Sequence, residues 1–276
     1  TTDEKTGKIK TKINLKPFTM LIGLLANEED HQMFSLYRKR ERLSYRPIQN
    51  RNPKGTALDD EFHKLHYKPS FDIETELKLK IDGNFGWKQK YFNHVLRMKR
   101  TEQNIDDVCE NYLIGLDWVL QYYYTETHSW GWIYKYLSSP LFQDLYLYLS
   151  KNKFTEFPTE PEETKRMTPY PPLCQLMMVV PKTSSALLPP ALAKQMTDPD
   201  SVLAQYYPDE FELNYLLHTF FWETEPILSL FDEKKVEFVV KSASESFTKE
   251  EAERNQFSEL KIIKPKTKQN VKQNKK

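Results

Sequence analysis

Side chains able to do acid–base or metal chemistry are plentiful in this 276-residue chain, but they are poorly grouped. It holds 39 Asp and Glu, six His and two Cys. Asp59-Asp60-Glu61 and Asp106-Asp107 could each hold a cation. Acids at a helix start, where they complement the dipole, are the commoner reason for such runs. His63 and His66 are spaced i, i+3 in Phe62-His63-Lys64-Leu65-His66, without the carboxylate partners of a di-iron site. No Gly-x-Ser-x-Gly, Walker or Rossmann loop is present, and only 7 Gly are available to build one. Cys109 and Cys174 form no Cys-x-x-Cys pair and cannot make a zinc site alone. They read as reduced, buried thiols of an intracellular protein, with cytoplasm and nucleus both open. The chain's own residues therefore present no catalytic centre.

A different chemistry is suggested by the rings. Tyr122-Tyr123-Tyr124 is followed by Ser129-Trp130-Gly131-Trp132-Ile133-Tyr134-Lys135-Tyr136, within a chain that is 13% aromatic. One reading is a core corner where a long helix turns. The other is a stacking platform for single-stranded bases, worth about 1–3 kcal/mol per base. Trp130 and Trp132 are two residues apart, so helix or strand alike would aim them differently. One can be core while the other faces a groove.

These rings must be carried by helices broken at prolines, of which there are 17. Asn27 before Glu28, Glu29 and Asp30 predicts a helix start, and Arg38-Lys39-Arg40 its end. Residues 44–57 read as a loop, with Pro47, Pro53 and Gly55. From Asn104, the residues Ile105, Val108, Cys109, Tyr112, Leu116, Val119, Leu120 and Tyr123 follow a 3.6-residue period and predict a long helix. Residues 155–172 contain five prolines and must be a loop. Pro181, Pro189 and Pro190 cut the next apolar stretch into short helices. Thr248-x-x-Glu251 fits a capping box. Lys235–Val240 is the best candidate for a strand, although helix suits it equally. The fold class expected is mainly α, irregular, with few short strands.

Mean hydropathy is −0.71, polar enough to expect unfolded ends beside a folded body. Net charge is +1, but residues 261–276 hold seven Lys and no acid, leaving 33 basic against 39 acidic groups elsewhere. That Lys-rich tail and residues 1–11 are expected to be flexible, flanking a folded domain over 12–260. A solvated end explains the tail; a weak polyanion contact is its functional alternative. The longest mainly apolar run, Phe18–Ala26, is far short of the ~20 residues that span a bilayer, so no membrane partner is expected.

The aromatic cluster also carries a resemblance. Gly115-Leu116-Asp117-Trp118-Val119-Leu120-Gln121-Tyr122-Tyr123-Tyr124, then Ser129-Trp130-Gly131-Trp132, resembles the second conserved region of the Xrn/Rat family of 5′→3′ exoribonucleases. Gly86-Trp87-Lys88-Gln89-Lys90-Tyr91-Phe92 is similar to the family's Gly-Trp-Lys-x-x-Tyr-Tyr element. Pro172-Leu173-Cys174-Gln175-Leu176 through Leu187-Leu188-Pro189-Pro190 resembles its Pro-Phe-Glu-Gln-Leu to Leu-Leu-Pro stretch. Met196–Ser201, Tyr207–Leu213, Trp222-Glu223, Asp232–Lys235 and Arg254-Asn255-Gln256 come next, in the family's order. One departure is Ile133-Tyr134-Lys135-Tyr136-Leu137-Ser138-Ser139-Pro140, where the family reads Tyr-Tyr-Pro-Tyr-His-Tyr-Ala-Pro.

The resemblance implies the helical, non-catalytic half of an enzyme that hydrolyses 5′-monophosphorylated single-stranded RNA to mononucleotides. It implies that this half braces a nuclease core and narrows its entrance. It implies substrate stacking by Trp130 or Trp132, with Tyr122, Tyr123, Tyr124, Ser129, Tyr134 and Tyr136 as motif residues. The family's catalytic carboxylates, Mg²⁺ ions and 5′-phosphate pocket belong to a preceding N-terminal region that nothing here matches. Magnesium is thus implied for the complete enzyme, through ligands outside this chain, and the nuclease region becomes a partner in cis or trans. This chain alone is expected to be inactive. The alternatives are a non-catalytic RNA-binding or scaffold subunit of the same ancestry, or a helical interaction domain whose rings are all core.

Overall fold

The computed structural model describes residues 12–45, 55–67, 78–81, 86–125, 127–152 and 154–257. The expected flexible ends at 1–11 and 261–276 and most of the 44–57 loop lie outside the described residues. So do the side chains of His63 and His66. The fold is mainly α, as expected, with one two-stranded sheet among the described residues. The described residues form two compact units.

The first unit takes the described residues up to Pro169 together with Glu210–Leu228. Helix α1 spans Leu15–Ser44, its N-cap Asn14 accepting from the Lys16 amide at 3.2 Å. It begins well before Asn27. The acids at 28–30 therefore sit mid-helix, and two of them face other parts of the unit. Glu29 is buried and accepts from the Phe142 and Gln143 amides, capping helix α5 (Phe142–Asn152) from outside. Burial pushes the Glu29 carboxyl up; the two amide bonds oppose that. Asp30 accepts from the Trp87 indole at 2.8 Å and from Gln143 at 3.1 Å. Burial pushes the Asp30 carboxyl up, but the bonds from Trp87, Gln143 and Lys88 outweigh it and hold it below its ordinary value. The α1–α5 approach needs Gly23, where a Cβ would stand 2.9 Å from the Tyr146 ring.

Helix α2 (Ala57–Tyr67) is started by a reciprocal cap. Thr56 accepts from the Asp59 amide, and the Asp59 carboxylate takes both the Thr56 amide and hydroxyl. Those bonds hold the Asp59 carboxyl low, and they explain this acid without a cation. Helix α3 (Trp87–Lys90) runs into one wide turn over Tyr91–Val95. Trp87, Tyr91 and Phe92 are core, joined by Leu79, Ile81, Val108, Leu141 and Leu216. Helix α4 (Glu102–Tyr124) starts before the expected Asn104, because Thr101 supplies the cap by accepting from the Asn104 amide. The first turns of its stripe pack as expected, with Val108 and Cys109 fully buried beside Leu113, but the stripe does not hold to the end of the helix, where Val119 and Tyr123 are exposed. Asp106 pairs with Lys151 at 3.3 Å, and Asp107 accepts from Gln103 at 2.8 Å. The hairpin pairs β1 (Leu213–Asn214) with β2 (Glu225–Pro226) antiparallel.

The second unit is Tyr170–Asp209 with the described residues from Ser229 onward. Two helices open on a proline, α6 (Pro172–Val179) and α7 (Pro190–Thr197). Proline suits the first helical turn because its missing N–H would have no partner there. Lys235–Val240 is helical, inside α8 (Glu233–Ala243). Asp232 caps it, and Val236, Val239 and Val240 line one face, which decides the local ambiguity for helix. Helix α9 (Lys249–Arg254) carries the predicted Thr248–Glu251 capping box. Leu173, Met177, Leu192, Met196, Leu203 and Val236 form the core.

Candidate nucleic-acid interface

The aromatic segment after α4 is laced to that helix by residues one turn apart. Asn111 Oδ1 accepts from the Lys135 amide at 3.0 Å. Gly115 leaves the space that the Trp132 ring fills, since a Cβ there would lie 2.5 Å from Cη2 of the indole. Trp118 donates its indole N–H to the Ser129 carbonyl at 2.8 Å. Asn111, Gly115, Trp118 and Tyr122 have an i, i+4, i+7, i+11 spacing, so one helix face carries the whole attachment.

A second strip of chain holds the segment from its other side. The Trp130 amide donates to the Arg166 carbonyl at 2.8 Å, and the Arg166 amide donates to Ser129 Oγ at 3.2 Å. Ser129 is completely buried. The backbone at 129–130 is thereby fixed at two points, the Ser129 carbonyl and the Trp130 amide, with the Ser129 hydroxyl held as well, while the Trp130 side chain stays 46% exposed.

Trp132 has a different setting. It is partly buried, and its ring lies over Trp118 with centroids 5.8 Å apart and planes 23° from parallel. Tyr122 also stacks on Trp118, at 5.4 Å and 6°. Tyr122 is 52% exposed, and Tyr123 and Tyr124 are more exposed still. Tyr123 meets Tyr122 edge-on at 5.3 Å.

Tyr134 and Tyr136 turn inward. The Tyr134 hydroxyl donates to the Ser138 carbonyl at 2.8 Å, and its ring meets Tyr112 and Tyr136 edge-on. Burial pushes the Tyr134 phenol up, and burial with the nearby Asp107 and Glu110 does the same to Tyr136. Of the sequence-predicted residues, then, Trp130, Tyr122, Tyr123 and Tyr124 face solvent, while Ser129, Trp132, Tyr134 and Tyr136 build the support. Asn111 and Arg166 are supporting positions that the sequence does not single out, because their partners lie 24 and 37 positions away.

Cations are a separate matter. Among the described residues, no three of His, Cys, Asp and Glu converge into a set able to hold a metal ion. Among the described residues no helix is long and apolar enough to cross a membrane.

The ordered motifs are matched by a family model. The model described as the Xrn1 helical domain covers residues 66–275. The chain belongs to that family. Among similar curated proteins, the 5′-3′ exoribonuclease 1 of Schizosaccharomyces pombe is 30% identical over 225 residues, which is 79% of this chain and 16% of the relative. The 5′-3′ exoribonuclease 1 of Saccharomyces cerevisiae is 32% identical over 187 residues, 67% of this chain and 12% of the relative. The 5′-3′ exoribonuclease 2 of Gallus gallus is 31% identical over 171 residues, 62% and 17% respectively. The chain thus spans less than a fifth of the length of the relatives it matches. As an Xrn1 helical domain it keeps the Gly86-Trp87-Lys88 element as a core anchor, with Trp87 bonded to Asp30, and keeps the paired-Trp element at the surface of α4.

Proposed function

We propose that this Xrn1 helical domain is the non-catalytic part of a 5′→3′ exoribonuclease acting on 5′-monophosphorylated single-stranded RNA, and that Trp130 stacks on a base of the substrate. The observation that carries this is the contrast within the paired motif. Trp132 is committed to Trp118 and Gly115, whereas Trp130 offers its ring to solvent from a pinned backbone. A fixed ring loses little freedom when a base lands on it, so more of the stacking energy appears as affinity. Stacking tolerates any base, which suits an enzyme that must digest every sequence. The carboxylates, the Mg²⁺ ions and the 5′-phosphate pocket are assigned to a nuclease region supplied in cis or trans. This chain's part is to brace that region and guide the unpaired strand.

The test is binding of single-stranded RNA by the chain, monitored by fluorescence anisotropy. Trp130→Ala should weaken binding by roughly five- to a hundred-fold, the equivalent of one stacked base, with the fold unchanged by circular dichroism. Equal affinity in wild type and Trp130→Ala would refute the stacking role.

A further inference from the structure

We infer that Tyr122 is a second stacking surface for unpaired RNA, so that the strand meets two aromatic planes on this face rather than one. The inference rests on the proposed function and deepens it. Trp118 lies against two rings here, Trp132 at 23° and Tyr122 at 6° from parallel. Trp118 cannot tilt freely, because its indole N–H is tied to the Ser129 carbonyl at 2.8 Å. Trp132 cannot retreat, because it is seated on Gly115. Tyr122 thus lies parallel to a ring that is itself held in place, and about half of the residue remains in contact with solvent.

A ring so placed differs from an ordinary exposed tyrosine. Its plane is set before any ligand arrives, parallel to that of Trp118, and its exposed part offers that plane to a base. The Ser129 carbonyl that fixes Trp118 belongs to the peptide leading into Trp130. Both candidate planes therefore hang from one anchor, on opposite sides of a single hydrogen bond. Tyr123 is set edge-on against Tyr122 at 76°. The occupant that suits a flat, uncharged plate beside a second exposed indole is a run of unpaired bases.

The experiment uses the whole chain and a short oligoadenylate labelled with fluorescein at its 3′ end. Tyr122→Ala should weaken binding by roughly five-fold or more. Tyr122→Phe, which keeps the ring, should restore it. An abasic oligonucleotide of the same length should not distinguish wild type from Tyr122→Ala. Tyr122 is exposed, so circular dichroism of the variants should match wild type. If Trp130→Ala weakens binding and Tyr122→Ala does not, the second plane is overturned while the proposed function stands. If neither substitution matters, both fall. A Tyr122 surface that serves a protein partner would leave oligoadenylate affinity unchanged, and so counts against the inference.

Discussion

At the scale of single residues, neighbours two apart can have opposite fates. Trp132 is a structural ring and Trp130 a free one, and the difference is made by a glycine on another element. Gly115→Ala places a methyl group 2.5 Å from the Trp132 indole, so the ring must leave its seat. The expected cost is about 1–3 kcal/mol of stability, read as a lowered Tm, with Trp118 and Tyr122 losing their alignment. The thiols supply a second residue-scale prediction. Cys109 and Cys174 are almost wholly buried, and burial pushes the Cys109 thiol up, so neither should react with a thiol reagent in the native protein near neutral pH. Both should react once denaturant is added; rapid labelling of the folded protein would contradict the packing.

At the scale of elements, local signals are legible in the sequence and cross-chain ones are not. The Thr248–Glu251 box can be read because its two partners lie within one turn, and the buried part of the α4 stripe because its period is local although its packing partners are not. The start of α1 cannot, because the acids at 28–30 imitate a helix start. Glu29 in fact serves the end of another helix, α5, 113 positions away in sequence. The aromatic site shows the same division. Its rings are visible as a cluster, but which indole is free depends on Gly115 and Trp118, and on Arg166 across the unit. Asp30 gives a test of these inter-element ties. Its folded carboxyl titrates lower than an unfolded one, so it stabilises the fold above the ordinary Asp range. That contribution is lost as pH falls through the folded value. Wild type should therefore melt above Asp30→Asn at neutral pH, and the gap should close below about pH 4. A gap that stays constant down to about pH 2–3 would show that the charge plays no part.

At the scale of the whole molecule, the chain spans less than a fifth of its relatives, and the described residues gather no metal-holding set. On the proposed function, the pure chain is expected to release no mononucleotides from 5′-monophosphorylated RNA with Mg²⁺ present. Measurable turnover by homogeneous material would overturn the division of labour proposed above. The unequal settings of the five indoles have a practical consequence as well. Trp87 is sealed in the core and Trp132 lies against Trp118, whereas Trp130 and Trp222 meet water. With Trp222 replaced by Phe, light emitted at long wavelength and dimmed by acrylamide would come chiefly from position 130. Under the proposed stacking role, that emission would report arrival of a nucleotide without any dye.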